Sequence, residues 1–308
     1  MGVVSLANVA RNRVYLPWTP IPPGRMLELP GRGGATWVTD TPGPSPDSPT
    51  IVLLHALGTT GLLTWFPTIR PLAKRFRVVT LDQRWHGQGI RSEEFSLADC
   101  ADDVAALVEV LGLRDVIVGG YSMGSIIAQR VWRQHPDLVQ GLVLAATTDR
   151  FQLSPAERGF FLGMGSTMVA LRGVSRSRTA LKAARLAARG VDIEVSDMHE
   201  WALREFRSTS PWAVGQAVAA LGRHHSRPWI GRIDVPTAVV VMMRDRVIPT
   251  PRQIDLARSI PGATIHEVDD GHAGCVLASE KFVPRFVEAA ATVNARRRDF
   301  RQRPSAGA

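Results

Sequence analysis

DVIVGGYSMGSIIAQRV, residues 115–131, opens as a run of β-branched residues, turns through glycines around Ser122, and continues with the apolar spacing of a helix. A strand that passes into a helix through G-x-S-x-G bends too tightly for larger side chains, which accounts for Gly120 and Gly124 two positions either side of the serine. The bend pushes the serine hydroxyl out past the C-terminal edge of a sheet. A helix starting directly after the serine points its free N–H groups at negative charge forming there.

Working outward from this turn, short apolar runs alternate with amphipathic segments. MLELP and ATWVTD read as two opening strands, IVLLHAL as a buried strand, TTGLLTWFPTIRPLAKRF as a helix interrupted by prolines near its start, and RVVTLD as the next strand. SLADCADDVAALVEVLGL carries a serine cap, acids in its first turns and a Gly112 stop, the marks of a helix. VQGLVLAAT is a further strand, and the alternation then breaks. From Thr148 to about Pro228 only helical patterns occur, before strands TAVVVMM and ATIHEV, a helix near PRQIDLARSI and a last helix FVPRFVEAAATV. Apolar strands alternating with helices indicate an α/β fold: a mostly parallel, doubly wound sheet of about eight strands, covered on both faces. A helical cap is inserted after the sixth strand. The expected division is core 1–147, cap 148–228, and core 229–308 with a basic tail.

Composition narrows the function classes. The chain has 308 residues, enough for one large domain with an insertion. No apolar run approaches the roughly 20 residues needed to span a bilayer, and the N-terminus lacks the pattern of a signal peptide, so a cytoplasmic protein is expected. With Cys100 and Cys275 as the only cysteines there is no disulfide framework, and no metal or cofactor is expected. The net charge is +9, but apart from Lys74, Lys182 and Lys281 the basic residues are all arginine, a skew that looks like coding bias. No nucleic-acid module is recognisable and no nucleic-acid partner is expected. Two basic clusters stand out, residues 172–190 and the tail ARRRDFRQR. They read as a solvated helix face and a frayed terminus, with peripheral attraction to anionic lipid or an acidic acyl carrier as the sharper alternative.

A serine hydroxyl is a poor nucleophile without a base, and the base needs an orienting acid. Reacting groups in doubly wound sheets gather beyond the strands' C-terminal ends. His272, in DDGHAG, follows the last strand, and Asp245, in RDRVIP, follows the strand before it. The order Ser122, Asp245, His272 is that of nucleophile, acid and base for this turn. Asp149 is the substitute acid, after the strand ending near Thr147. His266 falls inside a strand, and His55 and His86 read as hydrogen-bonding loop residues.

Four blocks, HALG, DQRWHGQG, GYSMG and RDRVIP with DDGHAG, together resemble the α/β-hydrolase superfamily in its serine-nucleophile, single-cap branch. The resemblance runs from about Met26 to the last helix and leaves the cap unmatched. It implies Ser122 as nucleophile, His272 as base and then acid, Asp245 as the residue orienting His272, and the backbone N–H groups of Met123 and Leu57 as an oxyanion hole. Two departures lie at the implied mouth of the site: Ala56 and Trp85 stand where the family commonly has glycine. Ala56, Trp85, Trp201, Phe206 and Trp212 are the candidate pocket residues, and FFLGMGSTMVAL would add apolar cover. The expected activity is cleavage of a small-molecule carboxylic ester or lactone, in the manner of esterases, enol-lactonases and perhydrolases. A C–C hydrolase, an acyltransferase, and a non-catalytic binding protein on the same fold are the alternatives.

Overall fold

The computed structural model describes residues 19–151 and 197–302, together with positions 155, 157 and 159. Eight strands form one sheet: β1 (Gly24–Leu29), β2 (Gly34–Thr41), β3 (Thr50–Leu54), β4 (Arg77–Leu81), β5 (Val116–Tyr121), β6 (Val139–Ala145), β7 (Thr237–Met242) and β8 (Thr264–Val268). Their spatial order is β1-β2-β4-β3-β5-β6-β7-β8. β2 runs antiparallel to β1 and β4, and every other neighbouring pair is parallel. All six residues of β5 and of β7 are buried, while edge strands β1 and β8 alternate or expose their side chains. Inner strands covered on both faces have no polar side to show, which explains their uniformly apolar sequences.

The helices are α1 (Gly61–Ala73), α2 (Leu97–Val110), α3 (Met123–Gln134), α4 (Asp197–Arg207), α5 (Pro211–Gly222), α6 (Thr250–Ser259), the single turn α7 (Gly274–Leu277) and α8 (Ser279–Gln302). Alternate strand residues divide between two apolar layers. Val52, Val79, Val118, Leu144 and Val241 pack with α2, α3 and α6, whereas Ile51, Val78, Ile117, Val143 and Val240 pack with α1 and α8. α1 therefore lies on the opposite face from α3. The connections leaving β3 and β5 depart to opposite sides, and the crevice between their C-terminal ends is the sheet's switch point.

Two expectations change at the helices. α1 is not interrupted, because Pro67 and Pro71 both lie inside it. Trp65, Phe66, Ile69 and Leu72 are fully buried around them, and this packing outweighs the backbone bonds that proline removes. The tail is not a frayed end up to Gln302: α8 continues that far, Arg296 donates to the carbonyl of Gly262 at 2.6 Å, and Arg297 to that of Asp115 at 2.8 Å. The basic segment 172–190 and FFLGMGSTMVAL lie outside the described residues.

Between β6 and β7, α4 and α5 sit against the core. The Thr60 hydroxyl donates to Glu205 Oε2 at 2.5 Å, the Gly87 N–H to Thr209 Oγ1 at 3.1 Å, and Phe66 meets Trp201 edge-on at 5.3 Å. Among the described residues no helix is long and apolar enough to cross a membrane.

Candidate active site

β5 ends at Tyr121 and α3 begins at Met123, so Ser122 alone makes the turn. Its backbone is left-handed, with φ 52° and ψ −114°, a conformation that costs a non-glycine residue about 1–3 kcal/mol. Its N–H still continues the sheet ladder by donating to Ala145 O at 2.9 Å. The flanking glycines are required by contact. A Cβ on Gly120 would lie 2.4 Å from the Gly124 carbonyl carbon, and one on Gly124 would lie 2.1 Å from Leu54 O. The start of α3 thus presses against the end of β3.

Serine at a helix N-cap normally turns its hydroxyl back onto the helix. Ser122 does not; its Oγ lies 3.0 Å from His272 Nε2. His272 Nδ1 lies 2.7 Å from Asp245 Oδ2. A carboxylate only accepts, so Nδ1 carries the proton, Nε2 of the neutral ring accepts, and the Ser122 hydroxyl donates. Asp245 has a fully buried side chain with every lone pair engaged. Oδ1 accepts from the N–H groups of Val247 and Ile248 at 2.8 and 2.9 Å, and Oδ2 from His272 and Gln253 Nε2, the latter at 3.0 Å. Asp149 is engaged elsewhere, paired with Arg227 at 3.2 Å. His266 lies within β8, beside Thr264 and Glu288.

Two supports were not read from the sequence. The Tyr121 hydroxyl donates to His272 O at 2.8 Å, and burial holds its pKa well above the ordinary phenol range, so it remains a donor. Gln253 reaches Asp245 from α6. The second residue of G-x-S-x-G and a glutamine eight positions past an aspartate carry no pattern signal, because only the packed fold brings them to the relay.

Across the crevice, the loop after β3 is locked by side chains. The Gln83 N–H donates to His55 Nε2 at 2.9 Å, Gln83 Nε2 to His55 O at 2.8 Å, and His55 Nδ1–H to Ala56 O at 2.7 Å. Burial, then the neighbouring His86, keeps the His55 pKa well below the ordinary imidazole range, so the ring stays neutral as these bonds require. Among the described residues, the N–H groups of Leu57 and Met123 have no acceptor. Ala56 shows no positive φ, whereas Trp85 has φ 65°, the reason glycine suits that position. The Trp85 ring offsets this strain by packing on the α2–α3 layer and donating its indole N–H to Ser92 Oγ at 3.0 Å.

The other candidate pocket residues scatter. Trp201 and Glu205 line a cavity of about 400 Å³ with Trp37, Leu62, Asp82 and Gln88, in whose wall neither Ser122 nor His272 takes part. Phe206 is exposed and Trp212 half-buried on α5. Val214 of α5 does meet the loop after β3, its Cγ2 3.5 Å from where a Cβ on Gly58 would stand. Among the described residues no cluster of three or more histidines, cysteines or acids could hold a metal ion.

Asp82 anchors the start of α1 and the loop after β4 by accepting from the N–H groups of Gly61 at 2.9 Å and Gln88 at 2.8 Å. Burial first, then Glu205, pushes its pKa up to about 6, against the pull of those two bonds. Asp82 thus binds a proton more tightly folded than unfolded. Its contribution is fully present below the ordinary carboxylate range and is lost as pH rises to about 6, a change of up to ~3 kcal/mol. Asp82→Asn removes this dependence. The melting temperature of the variant relative to the natural protein is expected to rise between pH 4 and 7; parallel curves would refute titration at Asp82.

The sequence profile of the alpha/beta hydrolase fold matches residues 49–278, which spans the serine turn, the Asp245 turn and the His272 loop. The chain belongs to the α/β-hydrolase family. The magnesium-chelatase 30 kDa subunit of Rhodobacter capsulatus is 28% identical over 254 residues, covering 77% of this chain and 84% of that protein. The pimeloyl-[acyl-carrier protein] methyl ester esterase of Chromobacterium violaceum is 28% identical over 268 residues, covering 81% and 96%. Among solved structures, the enol-lactonase from Burkholderia xenovorans LB400 superposes with a TM-score of 0.67 at 22% identity, covering 87% of this chain and all of that one, a likeness of fold. In this α/β-hydrolase the relay therefore lies at the position where the fold brings the ends of β5, β7 and β8 together.

Proposed function

We propose that this α/β-hydrolase cleaves a carboxylic ester or lactone through an acyl-enzyme on Ser122. The observation that carries the reading is the continuous relay from Ser122 Oγ through His272 to buried Asp245. In the first half-reaction the Ser122 hydroxyl gives its proton to His272 Nε2 while Oγ attacks the carbonyl carbon. The negative charge on the carbonyl oxygen is met by the N–H groups of Met123 and Leu57. His272 returns the proton to the departing alkoxide, and Ser122 is left acylated. Water then repeats the sequence, with His272 as base and then acid, and releases the carboxylic acid. Asp245 keeps the imidazole in the Nδ1–H tautomer and stabilises the imidazolium.

The related methyl ester esterase supports the ester class. A non-catalytic binding protein on the same fold is the alternative, which the unbroken relay disfavours. A panel of p-nitrophenyl esters of increasing chain length, run beside simple lactones and a fluorophosphonate probe, tests the proposal. Turnover with an acyl-enzyme burst on at least one substrate, and covalent labelling of Ser122, is the expected result. Well-folded protein that neither turns over a substrate nor labels would overturn it.

A further inference from the structure

We propose that Gln253 is a positioning residue that holds the Asp245 carboxylate and, through it, His272; this rests on the hydrolase reading of the same relay. Gln253 is fully buried on α6, and both hydrogens of its amide nitrogen are engaged. Oε1 accepts from the Met242 N–H at 3.0 Å, while Nε2 donates to Ile248 O at 2.7 Å and to Asp245 Oδ2 at 3.0 Å. One side chain therefore ties together the end of β7, the far side of the turn that follows it, and the oxygen that His272 uses. The backbone donors of Val247 and Ile248 fix Oδ1. Without Gln253 the carboxylate keeps those two anchors but can swing Oδ2 about them.

The chemistry has a sign. A neutral amide donating to Oδ2 draws part of the carboxylate's negative charge toward itself. Removing it leaves more of that charge facing the His272 imidazole, which moves the acid limb of the kcat profile to higher pH in the variant. The other titratable groups near Asp245 are accounted for. Tyr121 donates to His272 O; Arg244 pairs with Asp269; Asp270 pairs with Lys281; Arg252 pairs with Glu157; and Arg246 is exposed in the turn.

Gln253→Met keeps the volume and loses the donors. The expected result is a fall in kcat of about 10²-fold with KM little changed, together with the upward shift of the acid limb. Gln253→Glu keeps the length and the acceptor for the Met242 N–H. Its activity relative to the natural protein is expected to decline as pH rises, as the new carboxyl ionises against Asp245. Thr250→Val is the control for a loosened turn, since the Thr250 hydroxyl donates to Met242 O at 2.9 Å and touches neither Asp245 nor His272. It should lower stability without moving the profile. The low-field proton resonance of His272 Nδ1–H reads the same clamp without turnover, and it is expected to shift or broaden in Gln253→Met. Equal, pH-independent losses in both Gln253 variants, or an unchanged resonance, would overturn the role. Failure of the natural protein to label with fluorophosphonate would instead overturn the hydrolase reading, with the resonance still reporting on Gln253.

Discussion

Ser122→Ala is expected to lower turnover of any accepted ester by roughly 10⁶-fold and to abolish fluorophosphonate labelling, with the fold intact. The size of the effect follows from the division of labour at the turn. The hydroxyl makes no cap to α3, and among the described residues its one hydrogen bond runs to His272, so its loss removes the nucleophile and little else. The ladder bond from the Ser122 N–H to Ala145 O and the contacts of Gly120 and Gly124 are main-chain features that alanine preserves. Retained labelling in Ser122→Ala would refute the assignment. Mass spectrometry of the labelled peptide, beside a melting curve, measures both halves of the expectation.

Asp245→Asn should cost about 10⁴-fold in kcat, whereas Asp149→Asn should leave turnover close to that of the natural protein. The N–H groups of Val247 and Ile248 demand an acceptor, so the asparagine oxygen takes the place of Oδ1. Its NH₂ then stands where Oδ2 stood, facing two donors, Gln253 Nε2 and His272 Nδ1. His272 can satisfy that group only by moving its proton to Nε2, and it then no longer accepts from Ser122. Asp149→Asn disturbs the pairing with Arg227 and a long contact from the Thr148 hydroxyl at 3.5 Å, neither of which touches His272. Steady-state kinetics of the two variants on one ester decide the matter, and a large loss in Asp149→Asn with normal Asp245→Asn would transfer the role.

Much of the α/β architecture was legible because its signals are local. β-branched runs, the serine cap of Ser96 and the G-x-S-x-G turn act over a few residues, and the eight strands lie close to where their patterns put them, whereas the single turn α7 carried no signal in the string. The prolines of α1 misled because burial of Trp65 and Phe66 is set by distant parts of the chain. The aromatic residues of α4 and α5 were legible as large apolar groups, but not in their direction. Trp201 turns to Phe66 and a cavity beside Asp82, while Phe206 faces outward.

By itself the sequence determined the order of the elements, the serine turn and the candidate acid and base, since chain order and short-range sterics are properties of the string. Tertiary structure alone decided between Asp245 and Asp149 as the partner of His272. The two aspartates follow strands β7 and β6, which are neighbours in the sheet, and only the packed loops set His272 2.7 Å from one of them. It also brought Gln253 and Tyr121 to the relay and explained the cost of Trp85 through its φ of 65°. Hydrogen bonds reward matched distances of about 3 Å between groups far apart in sequence, and such distances exist only once the sheet has formed.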